Sequence, residues 1–542
     1  AASLGVLTLL LTACAQVPEL GPRATLTPVS ELASPVSLGQ DDANRRAALA
    51  PTAWPQDAWW QRYGDAQLDT LVNEALQGAP SLQLAQARLQ AAAAIAQQQG
   101  ANLGPSVQAS LGATQQRQSY NNGIPAAFVP QGWNDYGRAA IELNYEVDWW
   151  GRQHSALAAA TSQWQASQAE AAQARVVLAA NIAQAYAELA RLHAQRDTAE
   201  AALKVRRESL LLFREREAHG LETRGSVKQV EARLAQAEGE RLAIDESLAL
   251  QRHLIAALMG AGPDRGLRIQ RPTVDLAQVQ GLPAQLELNL LGRRPDITAA
   301  RLRAEAAGQQ IDAAKAAFYP NLNLSAAIGA QSLGLNLLTD PGSRIGSFGP
   351  AISLPLFDQG RLQGQYKQAH AQYNEAVAQY KQTLTQALQD VADVATSEQA
   401  LVGRLQQAQA AVEASREAWR IARNRYEGGL ATYLEVLTAE DALLAQQREL
   451  TGLQTRLFSL DVALVRALGG GEVAVAHQAR GTVSRCGLNV HGRYRRRFGT
   501  SVQHRILITA TLFPIALSRT DGFMAIVARW PANACPRRRI II

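Results

Sequence analysis

The sequence predicts a mostly α-helical protein that also contributes strands to a membrane β-barrel, and three observations support this fold class. Residues 136–149 alternate apolar and polar side chains with the period of a β-strand, which gives the strand one face of each kind. A stretch without proline follows from Gln153 to His219, 67 residues that would form about 100 Å of helix. Both patterns recur in the second half of the chain, which indicates a tandem repeat.

The repeat is defined by residues that recur at two nearly equal spacings. Prolines that bound a helix recur 215 positions apart, and glycines that precede or follow a long helix recur 209 positions apart. The pairs are Pro80 and Pro295, Pro105 and Pro320, Gly151 and Gly360, and Gly220 and Gly429. Each half therefore predicts helix, strand, strand, long helix and helix, with the second long helix at 362–428 and a longer loop at 120–125 in the first half.

Four strands are predicted, and their length suits a membrane. Each has about ten residues and two distinct faces, as a tilted transmembrane strand requires. Four strands cannot close a barrel, since the smallest membrane barrels have about eight, and an open edge in lipid would leave backbone groups unpaired. We therefore expect closure by oligomerisation; the alternative is a soluble four-stranded sheet. The predicted strands are 105–114, 138–149, 320–331 and 346–356.

The first residues resemble the end of a bacterial signal peptide. Residues 1–13 are apolar, and the run ends in Leu-Thr-Ala before Cys14, which resembles a lipobox cleaved before a cysteine that is then acylated, for example with palmitate. Cys14 is the predicted lipid-attachment site; the alternative is an ordinary signal peptide with an incidental cysteine. Residues 14–53 are rich in Pro, Ser, Thr and Ala and predict an extended, lipid-anchored linker.

The end of the chain differs in composition from the rest. Residues 477–542 contain twelve Arg, no Lys and one acidic residue, Asp521. Removing them from the totals of 53 basic and 47 acidic residues leaves 41 and 46, so the pI of 9.3 does not indicate nucleic acid binding by the main fold. We expect this atypical basic tail to be disordered, and either an out-of-frame translation or a genuine extension. The repeats are assigned to 54–262 and 263–476.

No catalytic or metal-binding pattern stands out. The eight histidines are scattered, and no cysteine lies between Cys14 and Cys486, which excludes a cysteine-based metal site or a disulfide in the repeats. We therefore expect neither enzymatic activity nor a cofactor.

Several specific motifs are distributed over roughly residues 54–471. They are Arg294-Pro295-Asp296-Ile297, Ala304-Glu305, Ala313 to Pro320, Gly151-Arg152, Arg425 to Gly429, and Ala467 to Gly471. Together these motifs resemble the outer-membrane efflux protein family, the TolC-like ducts, and in particular the lipoprotein branch that serves multidrug efflux pumps of the RND type.

The resemblance implies a homotrimer in the outer membrane, with twelve strands in one β-barrel that continues into a barrel of twelve helices in the periplasm. It also implies a periplasmic adaptor (membrane fusion) protein and an inner-membrane RND-type transporter as partners, and no nucleic acid. The protein would be the passive exit duct for drugs or other small toxic compounds. The alternatives are the exit duct of type I protein secretion and a non-conducting coiled-coil lipoprotein of the periplasm.

In this family acidic residues constrict the channel at the periplasmic helix tips, which match the turns 220–226 and 428–435. Relatives commonly have Leu-Asp-Ala after the second turn, whereas this chain has Leu437-Thr438-Ala439. We therefore do not predict a ring of aspartates at Thr438. The candidate gate residues are Glu435, Thr438, Glu440 and Asp441; each could instead be an ordinary solvated helix residue.

Overall fold

The computed structural model describes residues 17–28, 31–32, 54–121, 123, 125–274, 293–355 and 357–471. The predicted lipid-attachment site, Cys14, and the basic tail at 477–542 lie outside the described residues, so both remain predictions.

The described helices follow the order that the sequence predicts. A 3₁₀-helix at Trp59–Tyr63 precedes them, and three further single 3₁₀ turns lie in the loops between strands. The helices are α1 (Ala66–Gly78), α2 (Pro80–Ala101), α3 (Arg152–Ala218), α4 (Arg224–Leu258), α5 (Pro263–Gly266), α6 (Pro295–Ala316), α7 (Gln359–Glu427) and α8 (Tyr433–Ala467).

Four antiparallel strands form one sheet in the order β1-β2-β3-β4. The strands are β1 (Ser106–Gln116), β2 (Asn134–Val147), β3 (Asn321–Leu333) and β4 (Arg344–Ser353). The side chains of Ile141, Ile328 and Phe348 are largely exposed and lie on one face, as the alternation predicts. The sheet therefore presents an unpartnered apolar surface, and β1 and β4 are its two edges.

The long helices α3 and α7 contain 67 and 69 residues, about 100 Å each. Both pack against their following helix, so α3 with α4 and α7 with α8 form two helical hairpins, and α8 also contacts α3. Alanines supply much of the buried surface of α3 between Ala159 and Leu192, which lets neighbouring helices approach closely. Short side chains thus favour close packing of helix against helix.

The largest hydrophobic core lies where α1 crosses the middle of α3. Trp59 and Trp60 are buried there and pack edge-to-face at 5.8 Å, and Tyr63 packs on Phe458 of α8 at 4.6 Å. Asp65 caps α1 and accepts a hydrogen bond from the Tyr186 hydroxyl at 2.8 Å. The tryptophan pair is therefore part of the protein core.

A buried arginine joins the start of α6 to two other helices. Arg294 is 6% exposed and pairs with Asp296 at 2.6 Å and with Asp390 of α7 at 3.3 Å. It also donates to the carbonyl of Ala467, in the last turn of α8, at 3.0 Å. The Arg-Pro-Asp-Ile motif thus begins α6, contacts the middle of α7 and holds the last turn of α8. The equivalent position in the first repeat is Ala79, which has no guanidinium to form such a clamp.

The part of the predicted linker that the structure describes lies against the helices. Residues 17–28 form an extended segment without helix or strand, here called the strap. Leu20 packs in the cluster of Phe318 and Leu362, and Leu26 packs farther along the groove between α6 and α7. The Tyr373 hydroxyl donates to the carbonyl of Ala24 at 2.9 Å. These residues of the predicted lipid-anchored linker are extended, as predicted, and are bound along the second repeat.

No helix in the described part of the chain is long and apolar enough to cross a membrane. Among the same residues, no group of three or more His, Cys, Asp or Glu side chains could hold a metal ion.

Candidate gate at the helix tips

The two helical hairpins end in turns of the same construction. In the first, Gly220 has φ of +70°, and the amides of Gly220 and Leu221 donate to the carbonyls of Glu217 and Arg216 at 2.9 and 2.8 Å. Gly429 and Leu430 make the equivalent pair of hydrogen bonds in the second turn, at 3.0 and 2.8 Å. This arrangement is a Schellman motif, in which glycine adopts a left-handed conformation at no steric cost. The glycine spacing of 209 residues thus places two equivalent tips in one chain.

Threonines begin the helices that return from both tips. The Thr223 hydroxyl accepts from the Ser226 amide at 3.1 Å. Thr432 and Glu435 form a capping box at the start of α8, in which the Glu435 carboxylate accepts from the Thr432 amide at 3.3 Å. One of the four candidate gate residues therefore caps its own helix, and it also pairs with Arg425 at 3.3 Å.

An aromatic cluster packs the two hairpins against each other just inside the tips. Phe213 of α3 is fully buried, with its ring centroid 3.8 Å from that of Tyr433 and 6.0 Å from that of Tyr426. Val227 of α4 and Val436 of α8 complete the cluster. Because its members come from both hairpins, moving one hairpin away from the other would expose apolar surface.

A hydrogen bond crosses between the hairpins beside this cluster. The Tyr426 hydroxyl donates to the Glu222 carboxylate at 2.6 Å, and the Arg216 guanidinium lies 4.7 Å from the centre of the Tyr426 ring. Burial raises the pKa of Tyr426, and the adjacent Glu222 carboxylate raises it further. The phenol therefore stays protonated and remains a donor to the charged acceptor across the physiological range.

The other candidate gate residues differ in environment. Thr438 is exposed, and its hydroxyl donates to the carbonyl of Leu434 in the same helix at 2.8 Å. Glu440 is only 3% exposed and lies 3.7 Å from Arg206 of α3, too far for a hydrogen bond. Burial raises the pKa of the Glu440 carboxyl, and Arg206 acts in the opposite direction. Glu440 thus faces the other hairpin, whereas the side chains of Glu435 and Thr438 make their polar contacts within their own hairpin.

Asp441 is the centre of an ion-pair group between the hairpins. It pairs with Arg206 of α3 at 2.7 Å and with Arg233 of α4. Farther from the tips, Arg448 of α8 pairs with Glu240 of α4 at 2.7 Å. These five side chains line a cavity of about 350 Å³, here called the hairpin cleft.

Sequence reasoning identified Asp441 but not its partners. The paired residues are separated by 208 or 235 positions, and the repeat places no equivalent charges in register, so no spacing in the sequence could reveal them. Glu222 is a similar case, since it lies at a predicted turn but has no motif of its own. Tyr426 lies within the motif Arg425 to Gly429, which marked this region without indicating that its hydroxyl would cross to the other hairpin.

A short β-sheet continued by helical hairpins of about 100 Å is the architecture of outer-membrane efflux channels. The solved structure of the outer membrane protein VceC from Vibrio cholerae superposes with a TM-score of 0.73 at 50% identity, covering 77% of this chain and 100% of that one.

The chain matches the family model of outer membrane efflux proteins over residues 71–261 and 288–470. It is 31% identical over 433 residues to the multidrug resistance outer membrane protein MdtP of Escherichia coli K12, covering 78% of this chain and 88% of MdtP. It is 34% identical over 331 residues to the fusaric acid resistance protein FusA of Burkholderia cepacia, covering 60% and 62% of the two chains. The chain therefore belongs to the outer membrane efflux protein family and is the outer-membrane exit duct of an efflux system.

Proposed function

We propose that this duct passively conducts drugs or other small toxic compounds from the periplasm and a pump to the exterior. The multidrug resistance of MdtP and the fusaric acid resistance of FusA support this substrate class. The partners would be a periplasmic adaptor protein and an inner-membrane RND-type transporter that supplies the energy. Specificity would reside mostly in the transporter.

The conducting form would be a homotrimer anchored in the outer membrane through acylated Cys14. Its four-stranded sheets would join into one twelve-stranded barrel, and the helices of residues 54–262 and 263–476 would form a twelve-membered barrel in the periplasm. Closure of the barrel is supported by an energetic argument. The edge strands β1 and β4 have unpaired backbone N–H and C=O groups, and lipid offers these groups no hydrogen-bond partners.

The helix tips would be the gate, and the observation that carries this proposal is the set of polar bonds between the hairpins. Opening would separate the second hairpin from the first, which breaks the bond of Tyr426 to Glu222 and the ion pairs of Asp441. A hydrogen bond to a charged group contributes about 1.5–3 kcal/mol, and an exposed ion pair about 0–1 kcal/mol. The closed state would thus be favoured by a few kcal/mol, which adaptor binding could overcome.

Single-channel conductance in planar bilayers tests the gate. Replacing Tyr426 by Phe and Asp441 by Asn removes the polar bonds while preserving the size of both side chains. Because about 1.4 kcal/mol changes an equilibrium tenfold, the double variant should be open at least about tenfold more often than the wild type. The matched control is Glu449→Gln, which removes an exposed 2.8 Å ion pair with Arg404 inside the second hairpin and should leave opening unchanged. Equal opening in the double variant and the wild type would refute the gate.

Gene deletion tests the substrate class. Loss of the chain should increase drug susceptibility, and complementation should restore resistance. Unchanged susceptibility together with lost protein secretion would instead identify the exit duct of type I secretion. Absence of conductance in every variant would refute the duct and favour a spacer lipoprotein.

A further inference from the structure

A cavity of about 400 Å³ lies where the sheet meets the helices and is here called the junction cavity. Residues of three turns line it: the turn from β2 to α3, the turn from α6 to β3, and the turn from β4 to α7. The three strands end at one level, since Val147 of β2 lies opposite Leu322 of β3, and Leu322 lies opposite Ile352 of β4. The junction cavity therefore lies at the end of the sheet, and its volume is within the range of about 300–1,000 Å³ that is usual for ligand pockets.

Aromatic rings form part of the cavity wall and mark its level. Trp150 stacks on Tyr319 with ring centroids 4.5 Å apart, and the Trp150 indole N–H donates to the carbonyl of Pro320 at 2.9 Å. Trp149 is 74% exposed, and Phe357, which follows β4, is 99% exposed. In membrane barrels, aromatic rings at the strand ends lie at the level of the lipid headgroups. In the proposed barrel, the junction cavity would therefore open at headgroup level.

Two arginines at equivalent positions of the repeat line the cavity. Arg152 and Arg361 are 209 residues apart, and each lies in the first turn of a long helix. Arg152 donates to Glu146 through Nη2 at 2.8 Å, and its Nε and Nη1 have no partner among the described residues. Arg361 donates to Asp358 at 2.6 Å and to Gln365 at 3.3 Å, and its side chain is more than half exposed. Both guanidinium groups thus retain N–H donors, and a guanidinium matches the geometry of a phosphate.

Two carboxylates balance the charge of this lining. The Asp148 carboxylate accepts from the backbone amides of Gln153 and His154, so it holds the turn in place. The Glu146 carboxylate accepts from Arg152 and from the Gln153 side chain, the latter at 3.1 Å. Because a carboxylate offers about four acceptor positions, Glu146 can accept from a further donor. An anionic ligand would leave one negative charge uncompensated in this lining, whereas a ligand with one phosphate and one ammonium would keep it neutral.

We propose that the junction cavity binds the headgroup of a phospholipid with a primary amine, with its phosphate at Arg152 and Arg361 and its ammonium at Glu146. The acyl chains would pass the exposed ring of Trp149 toward the apolar face of the sheet. A primary ammonium donates hydrogen bonds to a carboxylate, whereas a quaternary ammonium has no N–H group to donate. This site rests on the proposed membrane barrel and adds a lipid ligand to it.

The aromatic part of the site differs between the repeats. At the repeat spacings, Trp150 corresponds to Gln359 and Tyr319 corresponds to Gly104, so the equivalent junction has no ring at either position. The arginine pair is thus combined with a stacked aromatic wall at the junction of β2, β3 and β4. We therefore expect one such lipid per chain.

Native mass spectrometry of the full chain, purified as an oligomer in detergent and stripped of lipid, tests the site. The protein is incubated with phosphatidylethanolamine and phosphatidylglycerol in equal amounts. Phosphatidylethanolamine should bind up to one molecule per chain and should be preferred over phosphatidylglycerol. Equal binding of the two lipids, or binding that does not saturate near one per chain, would mean a nonspecific lipid annulus only and would overturn the site.

Two variants separate the roles of the charged groups. Arg361→Gln should weaken phosphatidylethanolamine binding about tenfold, because a charge-assisted bond to the phosphate is lost. Glu146→Gln removes the negative partner of the amine, so the preference should shift toward phosphatidylglycerol, whereas a merely structural defect would weaken both lipids alike. The matched control is Arg416→Gln, on the same helix as Arg361 and in a comparable exposed ion pair, with Glu413 at 2.9 Å. Wild-type lipid binding by Arg361→Gln, or an unchanged preference in Glu146→Gln, would overturn the assignment.

Inorganic phosphate without lipid is the second probe. A phosphate adduct that the wild type retains and Arg361→Gln loses, together with no selective lipid binding, would identify free phosphate as the ligand and overturn the lipid. The oligomeric mass in the same spectra keeps this test separate from that of the proposed function. A trimer without selective lipid binding would overturn the site alone, and a monomer that binds one phosphatidylethanolamine would retain the site and overturn the trimer.

Discussion

Replacing Glu398 by Gln should stabilise the protein above neutral pH and have little effect in acid. Glu398 of α7 is half-buried, and its Oε1 atom has no hydrogen-bond partner among the described residues. Burial raises its pKa to about 7, with a further contribution from the charge of Asp461 on α8. Asp461 is fully buried and is held by Arg62 and by the Tyr63 hydroxyl, which donates at 2.5 Å. Asp461 therefore has a cationic partner and a hydroxyl donor, whereas the Oε1 atom of Glu398 has neither among the described residues.

The magnitude follows from the pKa difference between the folded and unfolded chain. The pKa of Glu398 rises from 4.5 to about 7, and each unit corresponds to 1.36 kcal/mol, which gives an upper limit of about 3 kcal/mol. Between these values the folded protein binds more protons than the unfolded chain, so the free energy of unfolding decreases as pH rises through this window. Below about pH 4.5 both states are protonated and the penalty is absent. Glutamine cannot ionise, so its advantage should appear as pH rises and level off above about pH 7.

Thermal unfolding in detergent, followed by circular dichroism between about pH 5 and pH 8, measures this difference. The midpoint of the Glu398→Gln variant should rise relative to the wild type as pH increases. Glu413→Gln is the matched control, because Glu413 lies on the same helix, is exposed, and makes a 2.9 Å ion pair with Arg416 worth at most about 1 kcal/mol. A shift that is independent of pH, or an identical pH dependence in both variants, would refute the reasoning.

Two further substitutions test contacts between helices, one at Arg294 and one at Gly470. Arg294→Lys should lower the free energy of unfolding by about 1.5–3 kcal/mol, measured by urea titration, because a lysine cannot contact the partly exposed Asp390 and the Ala467 carbonyl simultaneously. Unchanged stability would mean that the clamp is dispensable. Gly470→Ala should lower the melting midpoint and the yield of folded protein, because Gly470 has φ of +69° and an added Cβ would lie 2.6 Å from the Val176 side chain; wild-type behaviour would show that α3 can move aside.

The long helices could be predicted from sequence because short sequence signals mark their ends. The predicted helices 153–219 and 362–428 differ by one to three residues at each end from α3 and α7, since glycine turns end both and no proline interrupts either. The strand ends were less accurate. The alternation predicted a strand to Trp149, but β2 ends at Val147 because the Asp148 carboxylate accepts from the amides of Gln153 and His154 at 3.1 and 2.8 Å. Asp148 therefore belongs to the helix start, and Trp149 and Trp150 lie in the turn.

The contacts at the tips could not be predicted, because they depend on how two distant hairpins pack. Glu440 and Asp441 are adjacent acids on an amphipathic helix, and only the structure shows that one is buried and the other bridges two arginines. The clamp of Arg294 is a similar case. Its motif was recognised, but a sequence pattern does not reveal that the guanidinium reaches the last turn of α8. Local structure follows from local sequence here, whereas polar bonds between helices require the tertiary fold.

The strap begins three residues after the proposed anchor, Cys14, and lies against the ends of α6 and α7 that adjoin the sheet. Val17 lies in the cluster of Phe318 and Leu362, and these residues adjoin the ends of α6 and α7 that meet the strands. Since three residues of extended chain span about 10 Å, acylated Cys14 could reach a membrane surface at that end without detaching the strap. Arg23 further fixes the strap through a 2.8 Å ion pair with Asp312. Because the strap is bound in the groove between α6 and α7, a lipid on Cys14 would hold the second repeat at a fixed distance from the membrane.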